Sequence, residues 1–189
     1  MIIIVGESGC GKSSVAKELE KYGYHRIVTY TTRPKRENEI DGIDYHFISN
    51  KLFYRMNARH EFAETASYRG WNYGSAVKDY EDKGVIVLTP KGLRSVVNSG
   101  LNVSSFYINV PRRDRLIKLL ERGDDIEECY RRSLSDVGQF DGIEDEVDHT
   151  IVNQEYEKSP EKLAKIINTI YKEDLRVKTQ RSKQILDSE

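Results

Sequence analysis

The sequence predicts an α/β fold in which a mostly parallel sheet is flanked by helices. Two apolar, β-branched runs lack polar alternation, which is typical of strands covered on both faces. They span residues 2–5 and 85–88, and a further strand is predicted over residues 103–110. Segments with helical spacing separate these runs. Strands that alternate with helices favour a parallel sheet, because each helix carries the chain back to the edge where it started.

The composition describes one polar globular domain. The chain has 189 residues, of which 38% are hydrophobic and 32% charged, with a formal net charge of -1. No basic field argues for a nucleic-acid partner, and no apolar run approaches the ~20 residues that span a membrane. The N-terminus lacks the charged and apolar regions of a signal peptide. We therefore expect a cytoplasmic protein without nucleic-acid or membrane partners.

The remaining elements follow from apolar spacing and end signals. We expect helices over residues 13–22, 91–98 and 112–121, and another that begins in the acidic turn at 123 and ends near 137. Short strands are expected over residues 26–30 and 150–152. Ser159 as N-cap and Pro160 at the first helical position open a last helix. The charged tail after Glu173 is expected to fray.

Residues 31–83 differ in character from the rest of the chain. They are polar, rich in tyrosine and interrupted by glycine, and they contain Trp71, the single tryptophan. No long apolar strand is visible in this segment. We interpret it as a lobe inserted into the α/β core.

The segment GESGCGKS, residues 6–13, matches the phosphate-binding pattern G-x-x-x-x-G-K-[ST] in full, with a strand before it and a helix after it. Glycines let successive backbone N–H groups point at phosphate oxygens, and the helix adds its positive end. Lys12 supplies a cation for the β- and γ-phosphates, and Ser13 offers a hydroxyl to magnesium. A chance match is disfavoured by this context. The residues predicted to bind ATP are Gly6, Glu7, Ser8, Gly9, Cys10, Gly11, Lys12, Ser13 and Ser14.

A second group of candidate residues lies in the inserted lobe. Arg33 and Arg36, with Tyr45 nearby, form a potential clamp for an oxyanion. Further along, Glu64 precedes Ser75. A carboxylate that accepts two N–H bonds suits the N1 and N2 groups of guanine, whereas adenine has no such donor pair. Composition alone leaves open a solvated charged surface with tyrosines that serve packing.

The pattern TTR–x2–R–x2–E–x2–G–x–DY–x–F closely resembles the signature of the guanylate kinase family, at the expected distance after the phosphate loop. This resemblance implies a P-loop kinase fold with an inserted lobe that binds the nucleoside monophosphate (NMP) and a small lid. It implies that Arg33, Arg36 and two tyrosines hold the GMP phosphate, that Glu39 orients the arginines, and that Glu64 and Ser75 read guanine. The implied GMP-binding residues are Thr29, Arg33, Arg36, Glu39, Tyr45, Glu64, Tyr73 and Ser75.

The resemblance continues over residues 111–123 and 131–132, which are similar to the family's helix and lid, and to residue 172 overall. The implied catalytic residues are Lys12, Arg33, Lys118, Arg122 and Arg132, although Lys118 stands where arginine is usual. The resemblance divides a single domain into a core (1–30, 84–122 and 138–173), an NMP-binding lobe (31–83), a lid (123–137) and a charged tail (174–189).

One stretch departs from the family pattern. Where members carry LDIDxQG, this chain has VLTPKG at residues 87–92, which puts Val87 and Thr89 at the positions of two acids. By resemblance, one acid serves the magnesium–phosphate centre and the other serves the base. Lys91 adds a positive charge nearby. The positioning of the metal contributes much of the catalysis in phosphoryl transfer, so the change affects an important position.

The leading hypothesis is an ATP- and Mg²⁺-dependent kinase that phosphorylates GMP or dGMP and releases ADP. A second hypothesis keeps the donor site and changes the acceptor to another nucleoside monophosphate or a sugar phosphate; the missing acids favour it, and Glu64 and Ser75 oppose it. A third is a weakly catalytic guanylate-kinase-like binding module, which the complete phosphate loop opposes. The expected partners are ATP and GMP, and both a monomer and a homodimer are open.

Overall fold

The structure is a computed structural model that describes residues 1–186 except 38, 69 and 124. Asp124 of the predicted lid and residues 187–189 of the predicted tail lie outside the described residues. The strands are β1 (Ile2–Val5), β2 (His25–Arg26), β3 (Tyr30–Thr31), β4 (His46–Phe47), β5 (Phe62–Tyr68), β6 (Trp71–Ala76), β7 (Gly84–Val87), β8 (Ser104–Asn109) and β9 (His149–Val152). The helices are α1 (Lys12–Leu19), α2 (Asn50–Ala58), α3 (Pro90–Asn98), α4 (Arg112–Glu121), α5 (Ile126–Asp136) and α6 (Pro160–Leu186).

Five strands form the main sheet, in the order β2-β7-β1-β8-β9. Every neighbouring pair in it is parallel. Because β1 lies in the centre, the segment that follows it emerges in the middle of the sheet's carboxyl edge. The predicted α/β fold with a mostly parallel sheet is confirmed.

The core covers both faces of this sheet. Ile2 and Ile4 of β1 pack with α1 and α6 on one face, while Ile3 and Val5 pack with α3 on the other. All four side chains are fully buried. Each contributes about 1.5–3 kcal/mol relative to exposure. Burial on both faces explains why the run shows no polar alternation.

A second sheet, in the order β4-β3-β6-β5, forms in the inserted segment. The strand predicted over residues 26–30 is divided between the two sheets. The Ile27 N–H donates to the Val85 carbonyl at 2.9 Å, whereas the His46 N–H donates to the Thr29 carbonyl at 2.9 Å. Because the hydrogen-bond partners change between residues 27 and 29, the second sheet begins at Tyr30, one residue before the predicted lobe boundary.

The C-terminal helix is longer than predicted. α6 runs from Pro160 to Leu186 and so includes most of the predicted charged tail, whose fraying stays a prediction. No glycine or proline follows Pro160 to end the helix. Beyond Glu173, Asp174 contacts the His149 ring of β9 at 3.0 Å. No described helix is both long and apolar enough to cross a membrane.

Candidate active site

The predicted phosphate loop connects β1 to α1 at the carboxyl edge of the main sheet. Gly11, which precedes α1, has a φ of 92°, in the left-handed region that favours glycine. A Cβ atom on Gly6 would lie 2.6 Å from the Cys10 Sγ and 2.9 Å from the Ile108 carbonyl oxygen. The loop therefore requires glycine at these two positions, for different reasons.

The start of α1 offers backbone donors to an anion. Within the described part of the chain, no backbone carbonyl accepts from the N–H groups of Gly11, Lys12 or Ser13. Such N–H groups, at the positive end of a helix, bind phosphate readily. The Lys12 Nζ donates to the carbonyl oxygens of Gly6 at 2.7 Å and Glu7 at 3.0 Å, so its ammonium group lies over the loop.

The side chain of Glu7, inside the loop, is held from two sides. Its Oε2 accepts from the Tyr107 hydroxyl at 2.9 Å, and its Oε1 accepts from the Arg115 Nη2 at 3.1 Å. Arg115 is 6% exposed and also donates to the carbonyl oxygens of Ser8 and Val110. Burial, followed by the bond to Glu7, raises the pKa of Tyr107. Sequence reasoning missed Arg115; the available signal was a carboxylate in a phosphate loop, which needs a cation when it is buried.

Two more side chains reach the loop from distant elements, and neither was predicted. The Asp136 Oδ2, in the last turn of α5, accepts from the Ser8 N–H at 2.8 Å and lies 3.8 Å from the Arg115 Nη1. The Tyr156 hydroxyl, after β9, donates to the Gly9 carbonyl at 2.6 Å. Burial raises the pKa of Tyr156 to about 12. The loop is thus braced by side chains from several elements.

A cavity of about 350 Å³ opens beside the loop, and its lining includes Gly9, Lys118, Leu119, Glu121 and Arg122. The Lys118 Nζ lies 3.3 Å from the Glu121 Oε2 and 5.9 Å from the centre of the Tyr156 ring. The structure thus brings two of the predicted catalytic cations, Lys118 and Arg122, to the phosphate loop. Arg132 lies on α5, one turn before Asp136.

The oxyanion clamp of the inserted lobe is organised by Glu39. Its two carboxylate oxygens accept from Arg33 at 2.6 and 3.0 Å, and its Oε2 also accepts the Arg36 N–H at 2.8 Å. The bonds from Arg33, then from the Arg36 backbone, lower the pKa of Glu39 to about 2. The Arg33 guanidinium lies 5.5 Å from the ring centre of Tyr45, which in turn packs edge-on against Tyr73. These predicted phosphate ligands therefore lie together.

The buried end of the lobe carries the carboxylate predicted to read a base. Glu64 is 8% exposed, and its Oε1 accepts from the Ser75 hydroxyl at 3.0 Å. The Tyr80 hydroxyl lies 2.6 Å from the same Ser75 hydroxyl, a partner that the sequence did not indicate. Burial raises the pKa of Glu64.

One cavity joins the two ends of the acceptor site. It has a volume of about 560 Å³, and its lining includes Thr29, Tyr45, Glu64, Tyr73, Thr89, Lys91 and Gln139. A smaller cleft of about 210 Å³ shares Thr29, Tyr45 and Val87 with this cavity and extends to Ser13 at the start of α1. The predicted acceptor site therefore adjoins the predicted donor site.

The stretch that departs from the family pattern forms one wall of this cavity. The Thr89 hydroxyl accepts from the Gly92 N–H at 3.2 Å and caps α3, so Thr89 has a structural role. Val87 and Lys91 line the cavity beside it. Among the lining residues that the structure describes, Glu64 carries the one carboxylate. The two positions that lack the acids of the family pattern, Val87 and Thr89, therefore both line this cavity.

Magnesium fits the residues around Ser13, although the described residues contain no cluster of three His, Cys, Asp or Glu side chains that could hold a metal. Mg²⁺ prefers oxygen ligands, retains several waters and is held largely by substrate phosphates. The cleft that reaches Ser13 is also lined by Asp44. A hydroxyl and a carboxylate are a sufficient protein contribution to a phosphate-bound Mg²⁺.

Comparison with known proteins gives a consistent result. The family model described as "Guanylate kinase" matches residues 1–170. A guanylate kinase of Mycoplasmoides gallisepticum is 29% identical over 177 residues, which cover 88% of this chain and 91% of the relative. A guanylate kinase of Streptococcus pyogenes serotype M3 is 30% identical over 183 residues, covering 89% and 85%.

A solved structure supports the same fold. The crystal structure of guanylate kinase from Anaplasma phagocytophilum is similar with a TM-score of 0.66 and 23% identity, and the match covers 92% of this chain and 85% of that one. The family model spans most of the chain, and the curated relatives are matched over most of their own length. The chain therefore belongs to the guanylate kinase family, a family of nucleoside monophosphate kinases.

Proposed function

We propose that this chain transfers the γ-phosphoryl group of ATP to the phosphate of GMP or dGMP, giving ADP and GDP or dGDP. The observation that carries the proposal is a single cavity that runs from Tyr45 and Tyr73 to the buried Glu64, next to the cleft that reaches Ser13. The Arg33 guanidinium lies against the Tyr45 ring. The relatives named above are guanylate kinases, which supports the same activity.

At the phosphate end, Arg33 and Arg36 supply positive charge and the hydroxyls of Tyr45 and Tyr73 supply donors. Glu39 keeps the Arg33 guanidinium in place through two hydrogen bonds. Its lowered pKa keeps it ionised at neutral pH. An acceptor phosphate oxygen is already anionic, so no general base is needed, and catalysis depends on positioning and charge neutralisation.

At the base end, the Glu64 carboxylate accepts the N1 and N2 protons of guanine, and Ser75 offers its hydroxyl to the same base. The Ser75 bond to Glu64 and the contact with Tyr80 hold this pair in one arrangement. Adenine presents an acceptor at N1 and no amino group at C2. Its binding would leave the buried carboxylate without the two guanine donors and with Ser75 as its described donor, which carries a large cost.

On the donor side, the backbone N–H groups at the start of α1 and the Lys12 ammonium bind the phosphates. Lys118, Arg122 and Arg132 offset the charge that develops on the transferred group. Mg²⁺ held by the donor phosphates would withdraw charge from them, with Ser13 and Asp44 as oxygen ligands from the protein.

One observation favours a second candidate acceptor. The cavity wall has Val87, Thr89 and Lys91 where the family has two acids and a glutamine, so it is more positive than the family pattern. A cavity of that charge suits an acceptor with an additional anionic group, such as a phosphorylated sugar. Glu64 opposes this candidate, because it places a carboxylate at the far end.

The experiment that separates these candidates measures ADP release with ATP and Mg²⁺ over a panel of acceptors: GMP, dGMP, IMP, AMP and ribose 5-phosphate. We expect turnover with GMP and dGMP and at least about tenfold lower kcat/KM with AMP. Turnover with ribose 5-phosphate and none with GMP would replace the first candidate by the second. Binding of ATP or GMP without turnover of any acceptor would indicate a binding module. The cytoplasmic location and the oligomeric state stay predictions.

A further inference from the structure

The carboxylate of Asp136 contacts the phosphate loop although it belongs to the predicted lid. Its Oδ2 accepts from the Ser8 backbone N–H at 2.8 Å. Asp136 is the last residue of α5, more than 120 residues along the chain from Ser8. The contact is thus a tertiary one between the lid helix and the loop that is predicted to hold the donor phosphates.

The surroundings of this carboxylate are those of an anion site. A backbone N–H in the phosphate loop points at one oxygen, and the Arg115 Nη1 lies 3.8 Å from the same oxygen. The side chain of Arg115 is 8% exposed, so its charge is poorly screened by water. A phosphate oxygen and a carboxylate oxygen make equivalent charge-assisted bonds with such donors.

Glu7 and Asp136 together place two carboxylates at this part of the phosphate loop. Arg115 already bonds to the Glu7 Oε1 at 3.1 Å, so one guanidinium faces two carboxylates. A donor phosphate would bring further negative charge against the same loop. Two anions cannot share the Ser8 N–H. Glu7 belongs to the phosphate loop itself, whereas Asp136 lies at the end of a separate helix.

We propose that Asp136 takes the place of a donor phosphate oxygen on the phosphate loop, and that donor binding displaces it. Asp136 then sets the affinity for ATP by competing within the chain for the same N–H group. Displacement also releases the C-terminal end of α5 from the loop, which couples donor binding to a movement of the lid helix that carries Arg132. This inference rests on the donor half of the proposed function and is independent of the acceptor.

The test is calorimetric titration of wild type, Asp136→Ala and Asp136→Asn with ATP, ADP, inorganic pyrophosphate and adenosine. We expect Asp136→Ala to bind ATP, ADP and pyrophosphate about tenfold more tightly than wild type, as expected when a competing charge-assisted hydrogen bond is removed. Asp136→Asn should show a smaller gain, because its amide oxygen still accepts from Ser8. Adenosine has no phosphate and should bind equally to all three.

Glu127→Gln provides a matched control, since this exposed carboxylate lies in the first turn of the same helix and removes the same charge away from the loop. It should leave every affinity unchanged. Unchanged or weaker binding of ATP and ADP by both Asp136 variants would overturn the proposal, as would an equal gain in the Glu127 control. Melting temperatures confirm that each variant is folded. A wild type that binds ATP but does not turn over GMP would count against the proposed function alone.

Discussion

The donor side and the acceptor side of this site are stabilised in different ways. The phosphate loop is held by side chains from four separate parts of the fold: Tyr107 of β8, Arg115 of α4, Asp136 of α5 and Tyr156 after β9. The oxyanion clamp of the lobe depends on Arg33 and Glu39, which are six residues apart in one loop. Its neighbours Ile40 and Ile43 are 57% and 54% exposed.

This difference indicates how each side meets its ligand. The contacts from Tyr107, Arg115 and Tyr156 hold the loop before the donor binds, so the loop presents its N–H groups with little further ordering cost. The Arg33–Glu39 clamp is held by contacts within one short segment, so its position depends on that segment alone. We therefore expect changes at the residues that brace the phosphate loop, such as Arg115, to affect folding as well as catalysis, and changes at Arg33 or Glu39 to affect catalysis more than folding.

The largest expected effect on activity comes from Lys12→Ala. Loss of the ammonium that neutralises the transferring phosphate should reduce kcat/KM about 10³-fold. The exposed Lys17→Ala, on the same helix, is the control and should keep wild-type activity. Because the described bonds of the Lys12 ammonium are to loop carbonyls and the Cys10 sulfur, all within the loop, the melting temperature should change little. Full activity of Lys12→Ala would remove the phosphate loop from the mechanism.

Arg115→Met tests the bracing of the donor loop. Removal of the Arg115 guanidinium leaves the Glu7 carboxylate without a cation in a largely buried site. This should lower the free energy of unfolding by about 3 kcal/mol. Urea unfolding measures this change, and the exposed Arg113→Met in the same helix is the control. Adding Glu7→Gln to Arg115→Met should recover part of the loss, since only one of the two carboxylates that faced the guanidinium, Asp136, then remains. If Arg115→Met alone were as stable as wild type, the proposed difference between the donor side and the acceptor side would be contradicted.

Glu64→Gln should have the smallest effect, and a selective one. An amide cannot accept both guanine protons, so kcat/KM for GMP should fall about tenfold, while that for IMP, which lacks the 2-amino group, falls less. The value for AMP should not change. An equal loss for GMP and AMP would show that Glu64 does not read the base.

The raised pKa of Glu64 adds a pH signature to this prediction. As the pH falls, wild type should lose GMP affinity at a pH above the ordinary glutamate pKa, because Glu64 becomes protonated there. Glu64→Gln should lack this loss.

The raised pKa of Glu64 also affects the stability of the fold, with a defined sign. The folded pKa lies above the unfolded one, so the contribution of Glu64 to stability decreases as the pH rises between them. At neutral pH the free energy of unfolding should therefore be higher for Glu64→Gln.

The sequence predicted those parts of the site that depend on local patterns. The phosphate loop is one continuous segment between a strand and a helix, and its glycines have local geometric reasons. The Arg33–Glu39 pair also lies within one short segment. The parallel sheet followed from apolar runs that the core buries on both faces.

The parts that could not be predicted depend on contacts between distant elements. Arg115 reads as an ordinary charged residue of an amphipathic helix until α4 packs beside Glu7. Tyr80 reads as one of many tyrosines until β6 brings Ser75 next to it. The division of residues 26–30 between two sheets depends on which strand each backbone group meets, and a run of five residues does not contain that information.

That division has a mechanical consequence. Along the chain, residues 27–29 on the outward path and 77–83 on the return path connect the second sheet to the first, and Ala63 of β5 belongs to the same buried cluster as Ile86. The position of the lobe is therefore fixed by packing as well as by these two short connections. Thr29 lies in the first connection and lines both the cavity and the cleft. A shift of this one residue would therefore alter the acceptor end and the donor end of the site together.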